Sequence, residues 1–329
     1  VKKVLFWMAG YDGCGYYRMQ LPADNLPKDR WDPTVSTNSG SDWPRFDVIV
    51  GQRIYMNEEA MSPVLNWVNM ARDLGTRTVY ELDDNFFAMQ EDNPAYEVFS
   101  DEAVLNNVRA CASMADLVTV STEPLREVML DFNPNVNVVP NFIDESWLRV
   151  ERIRNKWPII GWAGSATHSN DWKVVGDAVG EAMLMHQESL AFIMGGQKHY
   201  AGSVPQNRLK WTPWVRNPAK VCNWTREFDI GLAPLASNPF NESKSRIKVL
   251  EYAALGIPVI ASDVLPYREF VDHGITGFLA NSPKEWREHL LYLLKNPIIR
   301  EEMGMAAKEK AAQFTIQANI GLWDQALSM

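Results

Sequence analysis

"NPFNESKSRIKVLEYAALGIPVIAS", residues 238–262, runs from a charged segment into an apolar one. Lys244, Arg246 and Lys248 crowd its first half, Glu242 and Glu251 stand on either side, and the apolar run 257–260 follows. A helix feeding a buried strand accounts for that order. Ser243 or Ser245 suits the N-cap, because both side chains accept backbone hydrogen bonds well. Gly256 suits a left-handed residue past the helix end, with Pro258 close behind. Within the helix Lys244, Lys248, Glu251 and Leu255 recur at spacings of four, three and four. That puts two ammonium groups and one carboxylate on one face. Ile247, Leu250 and Ala254 make an apolar face elsewhere, turned to a sheet.

Two uses fit such a face. It is a solvated surface with ordinary Glu/Lys pairing, or it is a binding surface. A helix N-terminus holds phosphate through its free N–H groups and partial positive charge. Lysines in the first turns add full charges, and a carboxylate further in accepts two ribose hydroxyls, as acidic residues do in dinucleotide sites. Together these parts suit a nucleoside diphosphate.

Outward from this stretch, short apolar runs alternate with amphipathic segments. Runs at 4–9, 46–51, 78–82, 117–121 and 136–139 read as strands, separated by helical patterns at 58–74, 101–114 and 123–131. After the charged segment 151–156 the pattern restarts: strands at 158–164, 190–196, 209–211, 230–233 and 258–261, helices at 171–186, 283–294, 297–312 and 315–327. Alternation of this kind predicts parallel sheets covered on both faces. The expectation is an α/β chain of two Rossmann-like halves joined near residue 150, with ligand groups just after the strands.

The chain has 329 residues, enough for two domains, with 46% hydrophobic and 22% charged residues, the composition of a globular protein. A net charge of −9 and the lack of a Lys/Arg block argue against a dedicated nucleic-acid binder. Cys14, Cys111 and Cys222 form no Cys-x-x-Cys pair, which predicts neither a disulfide framework nor a structural zinc site. The apolar run at 4–9 is too short for a signal segment and no window reaches membrane-spanning length. A cytoplasmic location and no integral membrane segment are expected.

Several motifs resemble a known family. "FDIGLAPL", "NESKSRIKVLEYAALGIPVIAS" and "GITGFLA" are similar to the C-terminal signature of GT-B glycosyltransferases of the large retaining family 4 group. "ADLVTVSTEPLREVM" and "NVNVVPNFID" resemble the end of that family's N-terminal domain, and "IIGWAGSATHSND" its first C-terminal strand and turn. The likeness covers most of residues 115–280. It implies a GT-B fold: an N-terminal, acceptor-side domain at 1–149, rejoined by a C-terminal helix at 315–329, and a donor-side domain at 150–314, with an interdomain cleft.

The implied reaction moves a sugar from a nucleoside-diphosphate donor (UDP-, GDP- or ADP-linked) to an acceptor, with retention of anomeric configuration. No cofactor or metal is required. The departing diphosphate takes the acceptor's proton, and its electrostatic stabilisation carries much of the catalysis. The family's two motif glutamates stand eight apart, the second for ribose and the first for the sugar. Glu251 matches the second; Glu242 stands nine residues before it, and Ser243 holds the eighth position. An added residue turns a helix by about 100°, so Glu242 serves only from a loop. The family's usual Arg and Lys for the diphosphate have only His168 and Lys173 as counterparts, with Lys244 and Lys248 in compensation.

Other candidates follow the strands. Asp83 and Asp84 in "YELDDNFF" stand where related transferases often carry a sugar-contacting histidine; they serve sugar or acceptor hydroxyls, or a helix cap and turn. Gly13 and Gly15, in a loop that does not fit G-x-G-x-x-G, let backbone approach the sugar or diphosphate, and Arg18 is an anion contact or a surface residue. Gly164 and Ser165 border the donor, and Trp214 and Val215 flank the nucleobase with Arg216 nearby. Asp84, His168 and Lys248 are the candidates for the chemistry. The acceptor stays open among protein, lipid-linked sugar, modified nucleobase and small molecule, and oligomeric state is not legible. A GT-B sugar-nucleotide epimerase and a non-catalytic two-domain sugar-binding protein are the alternative readings.

Overall fold

A computed structural model describes residues 1–37, 45–54, 71, 73–165, 168–195, 203–215 and 217–328. Most of the helix expected at 58–74, the end of the strand expected at 190–196, and Arg216 lie outside these residues. Among the described residues, the chain forms two six-stranded sheets in which every pairing is parallel.

The first sheet holds β1 (Lys2–Trp7), β2 (Trp31–Ser36), β3 (Val48–Gln52), β4 (Arg77–Leu82), β5 (Leu117–Val120) and β6 (Val136–Val138), in the order β2-β1-β3-β4-β5-β6. The second holds β7 (Ile159–Gly164), β8 (Leu190–Gly195), β9 (Leu209–Thr212), β10 (Ile230–Ala233), β11 (Val259–Ser262) and β12 (Gly277–Ala280), in the order β12-β11-β10-β7-β8-β9. Strand order therefore reverses between β1 and β3 in one sheet and between β7 and β10 in the other. At such a reversal the flanking crossovers lie on opposite faces, and a crevice opens beyond the strands' carboxyl ends.

β2 and β12 were not anticipated from sequence. β2 contains Pro33, which cannot donate to a ladder; it survives because β2 is an edge strand paired only with β1. β12 is four residues long and begins with Gly277, a residue depleted in strands. The helix expected at 171–186 is two, Ser169–Lys173 and Ala178–Met185, broken where Gly176 takes φ +55°.

Both faces of each sheet carry apolar clusters. In the first sheet Leu5, Ile49 and Val118 point to one face and Val4, Phe6 and Val50 to the other. The second face is covered partly by the last helix, Ile316–Ser328: Trp323 meets Phe6 edge-on at 5.9 Å between ring centroids, and Ala326 and Leu327 join the same cluster. The chain reaches that helix beside its earlier passage out of the first sheet, where Ile143 bridges Thr315 and Ile316 N donates to Ile143 O at 2.8 Å. Among the described residues no helix is long and apolar enough to cross a membrane.

Candidate functional site

The carboxyl ends of the two sheets face one cleft of about 210 Å³. Gly164 and Ser165 line it at the end of β7, Ala233 and Pro234 at the end of β10, and Gly13 and Tyr17 after β1. Both strand-order reversals therefore open into the same space.

The opening stretch of sequence forms one wall of the cleft, in two pieces. A short turn of helix, Pro239–Glu242, is capped by Asn238, whose side chain accepts from Asn241 N. The main helix, Ile247–Ala254, starts only after Arg246, later than its charge spacing suggested. Gly256 ends it at φ +70°, as expected of a residue past a helix terminus. Ser243 is no N-cap of the main helix: it ends the short one as its C-cap, its hydroxyl donates to Pro239 O, and its carbonyl accepts from Thr122 Oγ1. Ser245 Oγ lies 3.5 Å from Ile247 N and accepts from Asn141 Nδ2 at 2.9 Å. Tyr252 pins the helix to β7, its hydroxyl accepting from Ala163 N at 3.0 Å.

On this wall Lys244, Lys248 and Glu251 all line the cleft. Lys248 Nζ donates to Glu251 Oε2 at 3.0 Å and lies 5.9 Å from the centroid of Trp214, which also lines the cleft. Glu251 is buried, 5% exposed, and its Oε1 accepts from Tyr17 Oη at 2.7 Å. His168 completes the wall. Its Nδ1 faces Asp171 Oδ2 at 2.7 Å, and Asp171 Oδ1 accepts from Ala236 N and Asn241 Nδ2. The loops after β7 and β10 are thus tied through one carboxylate. Burial lowers the His168 pKa, with Lys244 and Lys248 adding to it against the opposing effect of Asp171. Asp171 is held below the usual carboxylate range by its hydrogen bond from His168, despite burial.

Across the cleft, Asp83 and Asp84 follow β4 and line it too. Arg53, just after β3, donates to both carboxylates, and Lys244 Nζ stands 3.6 Å from Asp84 Oδ1. Burial opposes ionisation of Asp84, but Lys244 and Arg53 outweigh it and keep its pKa below the ordinary value. Arg53 was not singled out in sequence, although it directly follows a strand in an α/β pattern. Its backbone has φ +48°, the sole non-glycine positive φ among the described residues. Such a conformation persists only where surrounding contacts hold it.

Several expected site residues stand elsewhere. Arg18 is fully buried beneath the cleft, its Nε 2.6 Å from Glu81 Oε1, its Nη1 bonded to Val139 O and Asn141 Oδ1. A free anion contact is excluded because the guanidinium is already committed to the core. Glu242 turns from the cleft: Oε1 accepts from Ser237 Oγ and Oε2 from Leu265 N, and it ends the short helix, separated from the main one by residues 243–246. Gly15 serves the loop itself, since a Cβ there would meet Gly10 O at 1.9 Å. Val215 packs on the core beside Trp214. Lys173 is exposed and outside the cleft lining. Ser243 is buried behind it, its Oγ accepting from Asn85 Nδ2 at 3.3 Å.

Residues 157–296 match the family model of glycosyl transferases group 1. A D-inositol 3-phosphate glycosyltransferase from Thermobispora bispora is 30% identical over 97 residues, which span 29% of this chain and 22% of that enzyme. Among solved structures, the Anabaena HepE protein in complex with UDP-glucose superposes with a TM-score of 0.72 at 15% identity, covering 100% of both chains. The sucrose-phosphate synthase of Thermosynechococcus elongatus gives 0.67 at 14% identity, covering 98% of this chain and 97% of that one. The fold is GT-B. In this GT-B chain the family match falls on the sheet that carries Lys248 and Glu251, and ends short of the last two helices, Pro297–Ala311 and Ile316–Ser328.

Proposed function

We propose that this protein is a glycosyltransferase of the retaining family 4 type, transferring a sugar from a nucleoside-diphosphate donor. One observation supports it above others: Lys244, Lys248 and Glu251 face the crevice where strand order reverses between β7 and β10. There Glu251 accepts the ribose hydroxyls, and Lys244 and Lys248 hold the diphosphate, with His168 Nε2 as a further donor. Trp214 flanks the base. Asp84 and Asp83 serve hydroxyls of the sugar or the acceptor from the opposite wall.

Lys244 and Lys248 act most strongly as the glycosidic bond breaks, because negative charge then builds on the diphosphate inside a partly desolvated cleft. A diphosphate oxygen on the face it leaves takes the acceptor's proton, and the acceptor attacks on that same face. Retention follows without a protein nucleophile. Residues 1–149 with 315–329 form the acceptor side, residues 150–314 the donor side, and closure between them assembles the site. UDP sugars are the first donors to try, given the UDP-glucose complex of the HepE protein.

The test is incubation with UDP-, GDP- and ADP-sugars and an acceptor panel. Nucleoside diphosphate release that depends on acceptor, with the product anomer matching the donor by NMR, supports the proposal. An isomeric donor sugar would instead indicate an epimerase, and binding without turnover a sugar-binding protein. Lys248→Ala should weaken nucleoside-diphosphate binding by about tenfold or more, the usual effect of losing one charge-assisted hydrogen bond. Unchanged affinity by calorimetry would remove Lys248 from the site.

A further inference from the structure

Tyr17 enters the donor wall from the other side of the cleft. It lies in the π-turn Tyr16–Gln20 that follows the glycine loop after β1. Turns of this kind recur at functional sites. Its neighbour Arg18 is committed to the core, whereas Tyr17 lines the cleft and donates to Glu251 Oε1 at 2.7 Å, 234 positions along the chain. Tyr17 is 6% exposed. Burial foremost, then the Glu251 charge, push its pKa well above the ordinary phenol value, so near neutral pH the hydroxyl remains a donor.

Glu251 is therefore held at both oxygens, Oε1 by Tyr17 and Oε2 by Lys248. A carboxylate offers about four acceptor positions, two on each oxygen. Among the described residues each oxygen has one donor, which leaves one position on each. The plane of the group is fixed, and the two remaining positions form a bidentate acceptor that a vicinal diol matches.

We propose that Tyr17 is a positioning residue for the nucleoside: it fixes the Glu251 carboxylate for the two ribose hydroxyls. Recognition of ribose then draws on both sheets, although the acceptor carboxylate belongs to one. The inference rests on Glu251 as the ribose acceptor.

Calorimetry separates the two. Wild type, Tyr17→Phe, Glu251→Gln and the double variant are titrated with UDP and with 2′,3′-dideoxy-UDP, or with the GDP or ADP pair if wild type binds that nucleotide more tightly. Tyr17→Phe keeps the ring and should lose about tenfold in affinity for the ribonucleotide, the scale of one hydrogen bond to a charged group. It should change affinity for the dideoxy analogue by less than about twofold, and cost nothing further in the Glu251→Gln background. Equal losses on both nucleotides would mean that Tyr17 only supports the fold, and tighter ribonucleotide binding would make it a competitor for Glu251. Either result, or no change, overturns the role of Tyr17 while leaving the function standing. Wild type that does not distinguish the two nucleotides, or binds neither, overturns the assignment of Glu251 and this inference with it.

Discussion

Asp84, just after β4, stands 3.6 Å from Lys244, in the turn ahead of the Ile247–Ala254 helix, so an acid from one sheet pairs with a cation from the other. Arg53 supports the acid from behind. The pair joins two groups that the proposed chemistry gives different partners, the diphosphate for Lys244 and a sugar or acceptor hydroxyl for Asp84. Replacing Asp84 by Asn releases Lys244 from a competing carboxylate. Nucleoside-diphosphate affinity should then hold steady or rise, while turnover falls by about tenfold, the scale of one hydrogen bond from a substrate hydroxyl to a charged group. Calorimetry and steady-state rates on the one variant check both parts, and a parallel loss of affinity and rate would contradict them.

Glu251 and Glu242 should behave differently despite their shared place in the motif. Glu251→Gln removes the buried carboxylate at the cleft and should weaken nucleotide binding by about tenfold. Glu242→Gln affects bonds to Ser237 and the Leu265 amide at a partly exposed site away from the cleft lining, so it should leave nucleotide affinity within about twofold and stability within about 1 kcal/mol. Nucleotide titration and urea unfolding of each variant give the comparison. A large affinity loss in Glu242→Gln would restore it to the donor site.

Arg18 and Glu81 form an ion pair with neither side chain exposed. Arg18→Leu leaves a buried carboxylate without its cation and also removes bonds to Val139 and Asn141. A loss of about 3–5 kcal/mol in urea unfolding is expected. Burial raises the Glu81 pKa to about 7 even against Arg18, so without Arg18 the acid should be protonated across the neutral range. Adding Glu81→Met should recover most of the loss, since buried pairs are replaceable by apolar groups of similar volume. No recovery would show that the Asn141 and Val139 bonds dominate.

His168 carries a pH dependence whose sign follows from its lowered pKa. The folded state disfavours the charged ring, so the stabilisation is complete above the ordinary value of 6.5 and is lost as pH falls through the lower folded value. Melting temperature should therefore drop as pH falls below about 6.5, and His168→Gln should flatten part of that slope. Histidine NMR should place the His168 midpoint below 6.5 in the free protein and raise it when UDP is bound, because the diphosphate offsets Lys244 and Lys248. A midpoint unmoved by UDP would separate His168 from the diphosphate.

Much of the fold is legible in local pattern. Runs such as Val48–Gln52 and Ile159–Gly164 are buried along their whole length, which is why they read as continuous apolar strands of parallel sheets. Pro33 hid β2, because its tolerance depends on an edge position that no local window reveals. Lys248 and Glu251 were legible as cleft residues since three-residue spacing on a helix is itself a spatial relation. Glu242 failed the same logic, because the chain leaves the helix between Ser243 and Arg246 and the helical spacing no longer applies. Arg18 failed for another reason: its partners Glu81, Val139 and Asn141 are remote in sequence.

By itself the sequence determined two parallel α/β halves, a ligand crevice beyond the strand ends, and a helix presenting Lys248 beside Glu251. Those properties follow from hydrophobic period and side-chain spacing, both of which are local. Only the tertiary structure decided that Arg53 faces Asp83 and Asp84, that Arg18 belongs to the core, and that Tyr17 holds Glu251. Each of those contacts depends on how strands and sheets are placed against one another, through packing summed over the whole chain, and residues 234 positions apart carry no local signal that they meet.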